Sequence, residues 1–141
     1  MSRRFTGLAL AVSVLAFPGV AVADDLRGES SFLCTAVNVT RCADDGDCTN
    51  VVPWKLNIPQ FIVVNLTEKT LSTTKASGEN RSTPIKNFLK EGGQMFLQGV
   101  EGGRAFSFVI TEETGRAAIT VASEGRTVSI FGACTPTAAT K

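Results

Sequence analysis

The chain has 141 residues, 14 basic and 13 acidic side chains for a net charge of +1, and neither histidine nor tyrosine. Near-neutral charge with no basic stripe argues against nucleic acid or an anionic membrane as a partner. The missing imidazole removes Ser-His-Asp and Cys-His nucleophiles, histidine general bases and histidine metal sites.

In chain order, residues 1–23 read as a secretory signal peptide. Arg3 and Arg4 precede an apolar run from Leu8 to Phe17, then Pro18-Gly19 and the small residues Ala21-Val22-Ala23, so cleavage is expected between Ala23 and Asp24. The run falls short of the roughly 20 apolar residues that a spanning helix needs, so no transmembrane segment is expected once the signal is removed. Losing Arg3 and Arg4 takes the net charge from +1 to −1. What remains suits one domain, expected over 24–135, followed by a flexible tail over 136–141.

Four cysteines, Cys34, Cys42, Cys48 and Cys134, sit in this exported part, where thiols oxidise in pairs. Of three possible connectivities, Cys42 with Cys48 and Cys34 with Cys134 is favoured. The first pair closes a short acidic loop. The second ties the first strand to the last across about a hundred residues, a constraint of on the order of 4–5 kcal/mol in the chain-entropy model. A zinc site is disfavoured because the cysteines do not come as two close pairs. Asp44, Asp45 and Asp47 beside Asn50 superficially resemble a calcium loop, but they lack the distal bidentate glutamate, so a solvated acidic turn is expected and no metal or cofactor is assigned.

Phe32–Val39 is the first strand, with Phe32, Cys34 and Ala36 on one face. Trp54, Leu56 and Ile58 alternate between Pro53 and Pro59, which predicts a short edge strand or extended connector, with Trp54 packed in the core or at a barrel end rather than stacking on a ligand. Gln60–Leu66 is bulky on both faces and predicts a well-buried strand. Ser72–Ser82 reads as a loop, and Pro84–Glu91 as a strand in preference to a short helix. Gln94–Val100 follows through a Glu91-Gly92-Gly93 turn, and Glu101-Gly102-Gly103 leads into a meander over Arg104–Cys134. In the meander Phe106, Phe108 and Ile110 share a face, as do Ala117, Ile119 and Val121, and Val128 with Ile130. Gly115 and Gly125 end acidic turns that need positive φ. The class is therefore all-β: a single antiparallel meander of about 7–9 strands, forming a small closed or partly open barrel with two disulfides.

Several of these features together resemble a group of small exported proteobacterial proteins with no assigned activity. They are the signal peptide, Cys34, the Cys42 and Cys48 pair, Pro59-Gln60-Phe61-Ile62, Gln98-Gly99, Gly115 and the closing Phe131-Gly132-Ala133-Cys134-Thr135. The resemblance covers nearly all the mature chain and implies a periplasmic, disulfide-braced β protein.

No catalytic residue is assigned. With the cysteines paired no thiolate is left, and adjacent Glu112 and Glu113 fall in a turn where their carboxylates diverge, so the chain is not expected to be an enzyme. Arg81, Arg104, Arg116 and Arg126 fall in loops or at strand ends; a solvated rim is the plain reading, and convergence on an acidic partner the sharper one. The favoured function is a monomeric interaction or inhibitor-like module acting on an envelope or secreted protein. The alternative is a carrier of a small apolar ligand. Interior volume separates them: Phe61, Phe96, Phe106, Phe108, Ile110, Ile119 and Ile130 could fill a small barrel, and a filled barrel carries nothing.

Overall fold

Period-two alternation of apolar and polar residues, punctuated by glycine turns, underlies most of the strands in residues 25–137, the part of the chain that the computed structural model describes. The strands are β1 (Ser31–Ala43), β2 (Cys48–Asn50), β3 (Phe61–Asn65), β4 (Thr70–Thr73), β5 (Ser82–Pro84), β6 (Asn87–Glu91), β7 (Gln94–Glu101), β8 (Arg104–Thr111), β9 (Arg116–Ser123) and β10 (Arg126–Pro136). Two 3₁₀ turns, Pro53–Leu56 and Lys75–Ser77, interrupt them. Every strand pairing is antiparallel, in the order β5-β4-β3-β1-β10-β9-β8-β7-β6, with β2 as a short hairpin partner of β1. The expected barrel and strand number are present: nine strands lie on the main path. Among the described residues no helix is long and apolar enough to cross a membrane.

The two ends of this order, β5 and β6, are consecutive pieces of one segment. Its first half pairs with β4, Leu71 opposite Thr83, and its second half with β7, Leu97 opposite Phe88. Between them the Ile85 N–H donates to the Lys69 carbonyl at 2.7 Å and the Lys86 N–H to the Gln98 carbonyl at 2.8 Å. The sheet thus curls back on itself as a partly open barrel, with a bent strand as the seam. The strand reading of Pro84–Glu91 holds in two pieces, Ser82–Pro84 and Asn87–Glu91, joined through a bend at Ile85-Lys86.

Both disulfides follow the favoured connectivity, Cys34–Cys134 and Cys42–Cys48. In each, the two cysteines face one another directly across an antiparallel pair. Cys34 and Cys134 face the interior, 3% and 2% exposed.

The interior is built in cross-strand rows. Ile130, Ile119, Phe108, Leu97 and Phe88 form one, and Val128, Val121, Phe106 and Gly99 the next. One end is sealed by the fully buried Leu26, Phe32, Val64, Met95 and Ile110. Leu26, which carried no strand signal, is held there by its N–H donating to the Glu112 carbonyl at 2.7 Å.

Four expectations need correction. Pro53–Leu56 is a 3₁₀ turn rather than a strand: Pro53 presets its first residue, and Asn57, at φ 55°, ends it in the left-handed region. Strand β3 buries only Val64 fully, because a one-layer barrel wall has solvent on its outer face; Phe61, opposite Thr35, lies on that face and is 39% exposed. Phe96 likewise pairs with Val109 on the outer face and does not join the core. Finally β10 continues to Pro136, and Thr137 donates through Oγ1 to the Ser31 carbonyl at 3.0 Å, so the chain stays paired past Thr135. The signal peptide and its cleavage site, Ala23 and Asp24, lie outside the described residues, as does the tail beyond Thr137.

Candidate ligand-binding cavity

The sealed end of the barrel is packed, but the other end is not. A cavity of about 440 Å³ opens there, bounded by inward residues from β1, β3, β4, β8, β9 and β10. Its wall is largely apolar: Ile62, Leu71, Phe106, Phe108, Ile119, Val121, Val128 and Ile130, with the Cys34 sulfur and Ala36 on the β1 side. A barrel of eight or nine strands is the size at which side chains either fill the interior or leave room for one small ligand. Here they leave room.

The 3₁₀ turn Pro53–Leu56 and the residues after it form one lip. Leu56 and Ile58 pack on the core, while Trp54 is 74% exposed and still borders the cavity. Trp54 is thus neither in the core nor packed into a barrel end. Its exposure follows from the turn, which projects Trp54 outward while Leu56 points in.

Polar residues collect at the opening. Arg81, Arg104 and Arg126 all border the cavity, although 23 and 22 positions separate them in sequence; Arg116 does not. Register explains the convergence. Arg104 and Arg126 begin β8 and β10, and the chain enters both strands at the same barrel end, where Glu101 closes β7 opposite Arg104. Glu101 is shared: Arg81 Nη2 donates to both its carboxylate oxygens at 3.3 Å, and Arg104 Nη2 lies 3.8 Å from Oε2. Arg81 also donates through Nη1 to the Asn57 carbonyl at 3.2 Å, pinning the lip to the seam side. Lys55 and Arg126 complete the rim, and neither forms an ion pair with another described residue.

The other residues singled out in the sequence do not line the cavity, although the acidic turn shares its barrel end: the Asp44 N–H donates to the Gly125 carbonyl, beside Arg126, at 3.2 Å. The acidic turn Asp44-Asp45-Gly46-Asp47 is exposed, with Asp45 Oδ1 accepting the Asp47 N–H at 3.0 Å. Glu112 takes Lys90 Nζ at 2.6 Å on the far side of the molecule, beside the sealed end. No protein-family model and no curated protein matches the chain.

Proposed function

We propose that the protein is a non-enzymatic, exported binder of small apolar molecules, which it holds in the open end of its barrel. The cavity carries this reading. Its 440 Å³ falls in the range of about 300–1,000 Å³ typical of ligand pockets, and it combines an apolar wall with a few polar groups gathered at one opening. The interior volume that separates a carrier from an interaction module therefore favours the carrier. Two disulfides suit export to an oxidising compartment such as the periplasm.

Trp54, the single tryptophan, gives the test its signal. Titration with the neutral fluorophore N-phenyl-1-naphthylamine should shift Trp54 emission and raise probe fluorescence together, with saturation at one probe per chain. Replacing Val121 on the cavity wall by tryptophan fills the space and should abolish binding while the far-ultraviolet dichroism stays that of a β protein; Ala36→Leu should do the same from the opposite wall. A folded wild-type protein that binds no probe, or filled variants that bind it unchanged, would overturn the reading.

A second reading, docking onto an envelope protein, is favoured by one observation. Val37 and Phe131 are 61% and 62% exposed on neighbouring strands β1 and β10, where the register shifts between Ala36 and Asn38. It predicts cross-links to a partner from that face and none from the rim.

A further inference from the structure

The rim carries a charge that an apolar ligand alone does not need. Residues 25–137 contain 11 basic and 12 acidic side chains; four of those 11, Lys55, Arg81, Arg104 and Arg126, border this one cavity, with a single carboxylate, Glu101, among them. Cations outnumber carboxylates in the lining itself; just outside it Glu79 lies 3.7 Å from Arg81, and the Asp44 N–H donates to the Gly125 carbonyl beside Arg126 at 3.2 Å. An excess of cations in the lining favours an anionic group over a cationic one at the entrance.

The cations are not equivalent. Arg81 is engaged by Glu101, Glu79 and the Asn57 carbonyl, and Arg104 leans on the Glu101 carboxylate. Lys55 on the lip and Arg126 at the start of β10 are exposed and have no described carboxylate partner. Their donors are free to take an anionic group at the cavity entrance, where a charge-assisted hydrogen bond is stronger than a neutral one. Below that entrance the wall is largely apolar, with Thr83 a buried polar side chain in it.

Resting on the carrier reading above, we propose that the ligand is a single-chain amphiphile with an anionic head. The tail occupies the cavity, and the carboxylate or phosphate-type head sits between Lys55 and Arg126. Volume bounds the tail. At roughly 30 Å³ for each non-hydrogen group, the share of a water molecule in the liquid, a 440 Å³ space takes on the order of fifteen such groups. That is room for one chain of about a dozen carbons.

The test displaces bound N-phenyl-1-naphthylamine with ligands of equal chain length, all below their micellar concentrations: dodecanoate, dodecyl phosphate, dodecanol and dodecyltrimethylammonium. Dodecanoate or dodecyl phosphate should displace the probe at about one-tenth the concentration that dodecanol requires, and the cation should be the weakest. The two anions against each other distinguish a carboxylate head from a phosphate head. In Lys55→Gln/Arg126→Gln the ratio of anion to dodecanol, measured in the same variant, should fall to near one, and raising the salt concentration should shrink it in the wild type. Both substituted residues are exposed, so folding does not confound the ratio. Equal displacement by anion and alcohol in the wild type, or a ratio unchanged in the double variant, overturns the anionic-head proposal while leaving the carrier reading standing. Failure of the neutral probe to bind at all overturns both.

Discussion

Removing the two disulfides separately should destabilise the protein unequally, by amounts that follow from where each bridge sits. Cys34–Cys134 spans 100 residues and Cys42–Cys48 spans 6. In the chain-entropy model these loops correspond to about 4.7 and about 2.2 kcal/mol at 25 °C. Packing widens the gap. Cys34 and Cys134 are buried, so replacing them with alanine also opens a space in the wall, whereas Cys48 is exposed and its loss costs little contact. Native register does not need the long bridge, because β1 and β10 pair from Phe32 opposite Pro136 to Ala43 opposite Arg126; the cost lies mainly in a freer unfolded chain. Urea unfolding of Cys34→Ala/Cys134→Ala and Cys42→Ala/Cys48→Ala, followed by far-ultraviolet dichroism, measures both. We expect the first to lose at least about 2 kcal/mol more than the second, and its m-value to rise as the unfolded state expands. Equal losses, or a larger loss for the hairpin bridge, would show that loop length and burial do not set the cost.

Leu26→Ala should cost about 2–5 kcal/mol, because it removes a fully buried plug from the sealed end; a loss under about 1 kcal/mol in urea unfolding would show that the plug is dispensable. Gly132→Ala should destabilise by at least about 1–3 kcal/mol, since a Cβ there would run into the backbone carbonyl oxygen of Thr35, which no rotamer change can move; an unchanged thermal midpoint would contradict the close β1–β10 approach. The Arg27 side chain donates to both Asp25 carboxylate oxygens, through Nε at 3.0 Å and Nη2 at 2.6 Å, and holds that carboxyl below its ordinary value. A depressed folded value means that the stabilisation is present above the unfolded pKa and is lost as pH falls through the folded one. In Arg27→Gln the Asp25 titration, followed by carboxyl-carbon NMR, should move up to the usual carboxylate range; an unmoved titration would show that the contact is absent in solution.

The meander was legible because period-two patterning and glycine turns are local. Phe106, Phe108 and Ile110 alternate with small or polar residues, and Gly115 and Gly125 take the positive φ, 63° and 68°, that the turns demanded. The pairing of Cys34 with Cys134 was legible for a topological reason: a meander that curls into a barrel brings its first long strand beside its last. Other features were not. Alternation says which residues share a face but not whether that face has a second layer behind it, so pattern alone does not reveal that Phe61 and Phe96 lie on the outer face. Trp54, Leu56 and Ile58 alternate as a strand would, yet one proline and one left-handed asparagine wind the stretch into a 3₁₀ turn. Leu26 stands alone, without periodicity, and only the tertiary structure shows what it seals.

The cavity was hidden from the sequence because it depends on how side-chain bulk is distributed along the barrel axis rather than on total bulk. The inventory of phenylalanines and isoleucines is large enough to fill the interior, but the bulk is skewed toward one end. Phe32, Met95, Leu97 and Ile110 crowd the sealed end, while the row nearer the mouth runs Val128, Val121, Phe106, Gly99. Gly99 is the key to that row. A Cβ there would strike the Phe106 ring and come within 2.8 Å of the Pro84 carbonyl oxygen. Its absence lets the ring lie back against β7 and lets the seam close over it, so the largest side chain of that row is drawn to the wall and the centre is left open. The same choice of residue that closes the barrel laterally thus keeps it open axially. Arg104 and Arg126 then occupy the starts of β8 and β10, at the mouth that this leaves open.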